Sequence, residues 1–360
     1  MRCTPCSQFA PTRTSPRSLL PTPGSTFAPV LTILRVRFSS IGDILLTTPL
    51  VRALRRRHPD SRLVFVTKRA MAPLVADNPH LTEVVSLEPG EPIHHLAARL
   101  RARRPTHGLD LHGGLRSRAL HALVGARWSG YSNRRIARAA LVSLKVDWYG
   151  VRVPVAERYF DAARSLDVRP DGGGPEFALG AGARQCAAEW LARHGLDGAP
   201  IVALTPGAAH GTKRWPLAHW IALASRLHAA GYRPVVVGGP DDRGLAHQVA
   251  GAGPAANAAG EFSLQESGAL LARARAVVSG DTGVMHMATG VGTPVVALFG
   301  PTVEQFGFFP YGARSHVLQR AMDCRPCTAH GSSRCPLGHH RCLVDIAPDE
   351  VAAAIERLTA

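Results

Sequence analysis

The chain has 360 residues, 46% of them apolar and 19% charged, a composition that suits a soluble globular protein with room for two ordinary domains. Its longest apolar runs, such as residues 294–299 and 200–205, fall far short of the roughly 18–20 residues of a membrane-spanning helix. Lys and Arg exceed Asp and Glu by 16, which points to an acidic partner: nucleic acid, a membrane surface or a phosphorylated small molecule.

Residues 1–30 are rich in Pro, Ser, Thr and Arg and lack the roughly 7–15-residue apolar core of a secretory signal, so they read as a disordered tail. Cys3 and Cys6 belong to it. The other thiols are expected to be reduced, as in a cytoplasm, rather than joined in a disulfide framework. From Leu31 onward, two halves repeat the alternation of short apolar strands and amphipathic helices that marks doubly wound α/β domains. Strands are predicted at residues 31–38, 62–67, 83–87 and 108–111. The helix after the first strand carries Leu46, Leu50 and Leu54 on one face with Arg52, Arg55 and Arg56 turned away, and Pro49 is expected to kink or restart it. Between Arg99 and Arg138 stand ten arginines against one acid, Asp110. That block is either an acid-binding face or a solvated surface. No aromatic interleaving or helix-turn-helix pattern supports nucleic acid, which is not expected as a partner.

Asp171-Gly-Gly-Gly-Pro175 is the best linker signal. It divides the chain into the tail (1–30), a first Rossmann-like domain (31–175), a second (176–345) and a docked terminal helix (346–360). In the second half, strands are predicted at residues 201–205, 234–237, 276–279 and 294–299. Leu217, Trp220, Ile221, Ala224 and Leu227 form a helical stripe opened by Pro216. The last predicted helix, residues 348–358, sets Val351, Ile355 and Leu358 on one face, with acids in its first turn.

In open parallel sheets, ligands sit beyond the carboxyl ends of the strands, and three strand-end loops carry the chemistry here. Gly280-Asp-Thr-Gly283 is a tight turn where backbone amides converge at a helix start, a setting for phosphate, although Asp281 could simply cap that helix. Thr205-Pro-Gly-Ala-Ala-His-Gly-Thr-Lys-Arg-Trp-Pro216 holds Lys213, one of three lysines in an arginine-rich chain, and a compact ammonium suits a phosphate approached from a loop. Ser39-Ser-Ile-Gly-Asp43 ends the first strand and presents Asp43, either a functional carboxylate or a helix cap. Cys324, Cys327, Cys335 and Cys342, with histidines nearby, could hold a structural metal or form a reduced cluster.

Three blocks together resemble the lipopolysaccharide heptosyltransferases of glycosyltransferase family 9: Val36-Arg-Phe-Ser-Ser-Ile-Gly-Asp-Ile-Leu-Leu-Thr-Thr-Pro49; Pro206-Gly-Ala with Lys213-Arg-Trp-Pro216; and Gly280-Asp-Thr-Gly-Val-Met-His286 followed by Ala297-Leu-Phe-Gly-Pro-Thr302. The cysteine-rich tail is similar to that of the heptosyltransferase II subgroup. The resemblance implies a GT-B fold, two Rossmann-like doubly wound domains facing a cleft. It implies an inverting reaction without a catalytic cofactor, in which ADP-L-glycero-β-D-manno-heptose is donor and the inner core of lipopolysaccharide is acceptor. By motif position Asp43 is the implied base, although a helix N-terminus weakens a carboxylate as a base. Lys213, Asp281, Thr282, Gly283 and His286 are implied at the donor phosphates; His286 could equally be an ordinary half-buried helix histidine. Asp241 or Asp242 is implied at the ribose, and Ser39, Ser40, Arg116 and Arg118 on the acceptor side. The implied location is cytoplasmic, with peripheral contact at an anionic inner-membrane surface.

Two other readings stand beside this one. A family 9 enzyme could use a different nucleotide sugar, because no single residue fixes the donor. The arginine block could instead mark a non-enzymatic membrane- or nucleic-acid-binding module built on the same scaffold. A dinucleotide oxidoreductase is disfavoured, since no strand-linked G-x-G-x-x-G occurs.

Overall fold

The computed structural model describes residues 30–360; the predicted tail, apart from its last residue, lies outside them, as do Cys3 and Cys6. The first half contains β1 (Thr32–Val36), α1 (Ile41–Leu45), α2 (Thr48–Arg57), β2 (Arg62–Lys68), β3 (Glu83–Leu87), α3 (Ile93–Arg101), β4 (His107–Asp110), α4 (Leu115–Leu123), β5 (Arg127–Gly130), α5 (Arg135–Ser143) and α6 (Val155–Arg158). The second contains α7 (Ala181–Arg193), β6 (Ile201–Thr205), α8 (Leu217–Ala229), β7 (Arg233–Val236), α9 (Arg243–Ala252), β8 (Ala256–Asn257), α10 (Leu264–Leu271) and β9 (Ala276–Gly280). It continues through α11 (Gly283–Gly290), β10 (Val295–Phe299), β11 (Ser315–Gln319), α12 (Arg341–Val344) and α13 (Pro348–Thr359). Among these helices none is long and apolar enough to cross a membrane.

Both sheets are parallel throughout, in the orders β3-β2-β1-β4-β5 and β11-β10-β9-β6-β7-β8. In each, the chain reverses direction across the sheet beside the strand that starts the half: between β1 and β4, and between β6 and β9. Loops leaving β1, β6 and β9 therefore open at the switch points where α/β folds bind ligands. The central strands were legible because both faces are buried: β1, β6, β9 and β10 expose no residue. The unpredicted strands β5, β8 and β11 are all edges, where half the backbone groups need no partner and the apolar signal fades.

Pro49 restarts the helix, as expected: α1 ends at Leu45, and α2 begins with Pro49 in its first turn, where a missing N–H costs nothing. Leu46, Leu50 and Leu54 are buried under the first sheet, with Tyr159 and Phe160. A second cluster runs through both halves, joining Ile44, Leu45, Val51 and Phe65 to Phe177, Val277, Met285 and Met287. The junction is α1 on α11. A Cβ added to Gly42 would lie 2.4 Å from the His286 ring, and one added to Gly283 would lie 2.8 Å from Ile41 Cβ. Only glycine permits this approach.

Arg52 does not turn to solvent as the helical wheel suggested. It is buried, donates to both carboxylate oxygens of Asp171 (2.7 and 2.8 Å), and also reaches Gly174 O (3.0 Å) and Glu176 (2.7 Å). The Gly-rich segment is correspondingly tied down: a Cβ on Gly173 would meet Arg52 Nη2 at 2.4 Å, and one on Gly174 would meet Gly312 O at 3.0 Å. Glycine serves close approach here rather than slack.

Arg52→Met removes the buried cation shared by Asp171 and Glu176, leaving Asp171 to the exposed Arg56 and Glu176 to His80, and is expected to lower unfolding free energy by about 2 kcal/mol, read by urea denaturation at pH 7. The hydrogen bonds from Arg52 hold Asp171 down to about 2. That depressed carboxylate contributes fully above the unfolded value near 4, and its contribution fades as pH falls toward 2. The difference between wild type and variant should shrink over that acid window.

Candidate active site

A cavity of about 390 Å³ lies between the halves. From the first it takes Ser40, Gly42 and Asp43; from the second, His210, Lys213, Asp281, Thr282, Gly283 and His286, with Phe299, Thr302, Phe306, Phe308 and His330 completing the wall. The loop after β1 thus meets the loops after β6 and β9. A second cavity of about 810 Å³ shares Ala209 and Thr282 with the first and is lined by Gly207, Arg214, Asp241, Asp242, Phe262, Ser263 and Ser267, among others. Both volumes fall in the roughly 300–1,000 Å³ range of small-molecule sites.

Asp43 occupies the third position of α1 and is not its cap, which is Ser40. Its Oδ1 accepts from Arg37 Nη2 at 2.6 Å and from Tyr159 OH at 3.1 Å. Its Oδ2 accepts from Ser40 Oγ at 2.8 Å and only weakly from Ser40 N at 3.4 Å. Oδ2 therefore keeps accepting capacity toward the cavity. Burial pushes this carboxyl up, but the Arg37 charge and the Ser40 hydrogen bonds outweigh it, and the net direction is down. Arg37 is fixed in turn by the carbonyls of Ser39 (2.7 Å) and Leu111. Burial holds the Tyr159 phenol well above its ordinary range, so it remains a donor.

Across the cavity, Lys213 Nζ pairs with Asp281 Oδ2 at 2.7 Å and donates to Asp281 O at 3.1 Å. Thr302 Oγ1 donates to the same carboxylate oxygen at 2.7 Å. Asp281 is thus no helix cap; Thr282 holds that position at the start of α11. His286, one turn into α11, is buried rather than half-buried. Burial lowers its pKa to about 4 against the opposing pull of Asp281 and Asp43, so the ring is neutral at pH 7, and Nδ1 has no hydrogen-bond partner.

The remaining candidates divide. Ser39 lies behind the cavity and offers its carbonyl to Arg37, while Ser40 lines the wall. Asp242 accepts from Gly239 N at 3.0 Å, and Asp241 is exposed; both line the larger cavity. Arg116 and Arg118 are exposed on α4 and line neither cavity. Cys324, Cys327, Cys335 and Cys342 lie near enough to influence one another's ionisation, and burial pushes the Cys342 thiol up to about 11. Yet among the described residues no three His, Cys, Asp or Glu side chains are arranged to hold a metal. Cys342 is drawn instead into the apolar core beside Leu343 and Ile346. The cysteine-rich loop packs on the Lys213 turn, with Ser332 O accepting from Thr212 N (3.1 Å) and Oγ1 (3.0 Å), and brings His330 to the cavity.

Sequence reasoning gave no role to Arg37, Tyr159, Thr302 or His330. Arg37 carried a signal, a charge inside an apolar strand that must find a partner. Tyr159, 116 residues from its partner, carried none.

Two parallel Rossmann-like halves, with strand-end loops converging on one cleft, make a GT-B fold. The family model described as glycosyltransferase family 9 (heptosyltransferase) matches residues 93–337. Lipopolysaccharide heptosyltransferase 2 of Salmonella typhimurium is 25% identical over 353 residues, covering 91% of this chain and 98% of that protein. The solved glycosyl transferase family 9 structure from Veillonella parvula superposes with a TM-score of 0.78 at 23% identity, covering 91% of this chain and 97% of the other. ADP-heptose LPS heptosyltransferase II of E. coli gives 0.71 at 24% identity, covering 92% and 98%. The chain belongs to glycosyltransferase family 9.

Two consequences are measurable. Gly42→Ala forces α1 away from His286 and is expected to cost about 1–3 kcal/mol of stability, read by chemical denaturation, and to lower turnover as Asp43 recedes from the Lys213 loop. With Arg37 holding Asp43 ionised, wild-type kcat should stay flat from pH 7 down to about 5. In Arg37→Gln, burial acts unopposed by that cation, so an acid limb should enter this window and kcat should recover as pH is raised.

Proposed function

We propose that this protein transfers L-glycero-D-manno-heptose from ADP-heptose to the inner core of lipopolysaccharide, with inversion at the anomeric carbon. The observation that carries the reading is a single cavity in which a carboxylate from one half faces a lysine and a helix N-terminus from the other, continuous with a second cavity large enough for a nucleoside. The names of the relatives supply the sugar and the acceptor class. ADP-sugars form where ATP is made, which puts the reaction in the cytoplasm.

In this reading the pyrophosphate lies against Lys213 and the backbone at Thr282 and Gly283, at the positive end of α11. The Asp281 carboxylate, itself anionic, aims Lys213 rather than touching phosphate. The adenosine lies in the larger cavity. There Asp241 is the better partner for the ribose hydroxyls, because Asp242 is engaged with Gly239 and packed against Gly207 and Gly238.

The acceptor hydroxyl attacks the anomeric carbon from the side of Asp43. As the new C–O bond forms, the bond from that carbon to the β-phosphate oxygen breaks, ADP leaves with the electron pair, and the hydroxyl proton passes to Asp43 Oδ2. Lys213 and the turn amides meet the charge that grows on ADP. Neutral His286 borders the cavity as a hydrogen-bonding group without adding charge.

Asp43→Asn should lower kcat by about 10²–10⁴-fold while donor affinity, measured by calorimetry with ADP-heptose, stays near wild type. Lys213→Ala should weaken both donor affinity and kcat. Purified protein given ADP-heptose and a heptose-deficient core should form product of inverted configuration. Turnover only with a hexose donor would refute the sugar assignment, and retained activity in Asp43→Asn would remove Asp43 from the chemistry.

A further inference from the structure

Six large apolar side chains between residues 115 and 151 stand in solvent: Leu115 (86% exposed), Ile136 (76%), Val151 (78%), Leu144, Trp148 (60%) and Val146. Only three others of this kind occur among the described residues, Val30, Leu337 and Val344. The six share one region. Arg135 Nη2 donates to Gly113 O at 3.1 Å, joining the starts of α5 and α4, and Arg134 Nη1 donates to the carbonyls of Tyr149 (2.6 Å) and Val151 (3.2 Å). Leu115, Ile136 and Val151 therefore gather at one end of α5; Leu144 follows its other end, about 13 Å away, and the chain returns through Val146 and Trp148 to Tyr149 beside Arg134.

The segment 144–149 is pinned by its polar side chains, although of its six residues only Tyr149 is buried. Lys145 Nζ donates to the carbonyls of Val142 (3.1 Å), Cys324 (3.2 Å) and Pro326 (2.6 Å). Asp147 accepts from Tyr149 N (2.8 Å) and Gln305 (3.2 Å), and Tyr149 is buried against Phe306. Leu144, Val146 and Trp148 make none of these contacts and stand exposed between the pinned residues. Asp147 is also the only acid between residues 111 and 151, against six arginines and one lysine, and Arg116, Arg118 and Arg135 are exposed beside the apolar side chains.

We infer that this face docks on an anionic lipid bilayer surface. A tryptophan and aliphatic side chains set among arginines match the interface between acyl chains and negative headgroups, where apolar burial and attraction to anionic lipid add. Its place in the fold supports the same occupant. Arg138 of α5 lies 5.4 Å over the Phe306 ring, and Phe306 lines the small cavity. Lys145 holds the loop that brings His330 to that cavity. Docking by this face holds a wall of the cavity close to the membrane, where a lipid-anchored saccharide presents its sugar. The inference rests on the acceptor class proposed above.

The test uses the full-length chain and sedimentation with vesicles of phosphatidylcholine, alone or with 30 mol% phosphatidylglycerol, as about a third of the lipid. Wild type should sediment with the anionic vesicles, weakly with the neutral ones, and be released by high salt. Ile136→Ser combined with Trp148→Ser and Val151→Ser should lower partition by at least about tenfold, since each exposed apolar side chain contributes on the scale of its burial. The same variant should keep its kcat/KM on a water-soluble, acyl-free core oligosaccharide and lose rate only on acceptor embedded in vesicles. Unchanged partition of the variant, or no binding of wild type to anionic vesicles, would overturn the inference while transfer to the soluble acceptor continued to support the proposed activity. Sedimentation velocity showing a wild-type dimer that the variant dissociates, without vesicle binding, would assign the face to self-association and also overturn it.

Discussion

The close approach of two short helices sets the geometry of the whole site. α1 and α11 start at the carboxyl ends of β1 and β9, so the sheets aim both toward the cleft before any side chain is considered. What lets them touch is the lack of side chains at Gly42 and Gly283. The contact is continuous with a core that draws on both sheets. The separation of Asp43 from the Lys213 loop is therefore fixed by packing, which tolerates far less play than a surface loop would.

Charge in the cleft is arranged as two pairs, Arg37 with Asp43 and Lys213 with Asp281. Pairing keeps an enclosed site from holding unbalanced charge before substrate arrives. The pairs differ in what they leave open. Arg37 is locked by backbone carbonyls and can only hold Asp43 ionised, whereas Lys213 sits on a loop and can share its ammonium between Asp281 and an incoming phosphate. A carboxylate held this low is a weak base at rest. In the proposed displacement that is no obstacle, because the acceptor proton becomes acidic only as its oxygen bonds to carbon, and the base need receive it only then.

The sequence made the central strands readable because burial on both faces leaves unbroken apolar runs, and it made the loops readable because Gly, Pro, Asp and Lys gather at strand ends. Asp43, Lys213, the Gly280–Gly283 turn and His286 do meet at one cavity. Three of the four edge strands, β5, β8 and β11, escaped notice because an edge imposes little on composition; β3, with its Val84 and Val85, did not. Arg52 was misread because a helical wheel gives the direction of a side chain but not what lies there; here it is Asp171 and Glu176, more than a hundred residues later in the chain. Spacing left the cysteines open between a metal site and a reduced cluster, because spacing carries no information about a thiol, such as Cys342, that packing draws into a core. Tyr159 was invisible for a similar reason: its link to Asp43 exists only once the chain has crossed the sheet and returned.

The segment after α5 shows the same limit in its sharpest form. Alternation of apolar and polar residues at 144–149 predicts two faces, yet periodicity cannot say which side chains find partners. Those partners, Cys324, Pro326, Gln305 and Phe306, belong to the other half of the chain. The arm that carries the exposed Trp148 is thus also one that fastens the first half to the wall of the cavity. Tyr149, the buried residue of this arm, packs beside the Phe306 ring that lines the cavity, so the exposed face and the cleft share a wall that neither stretch of sequence shows alone.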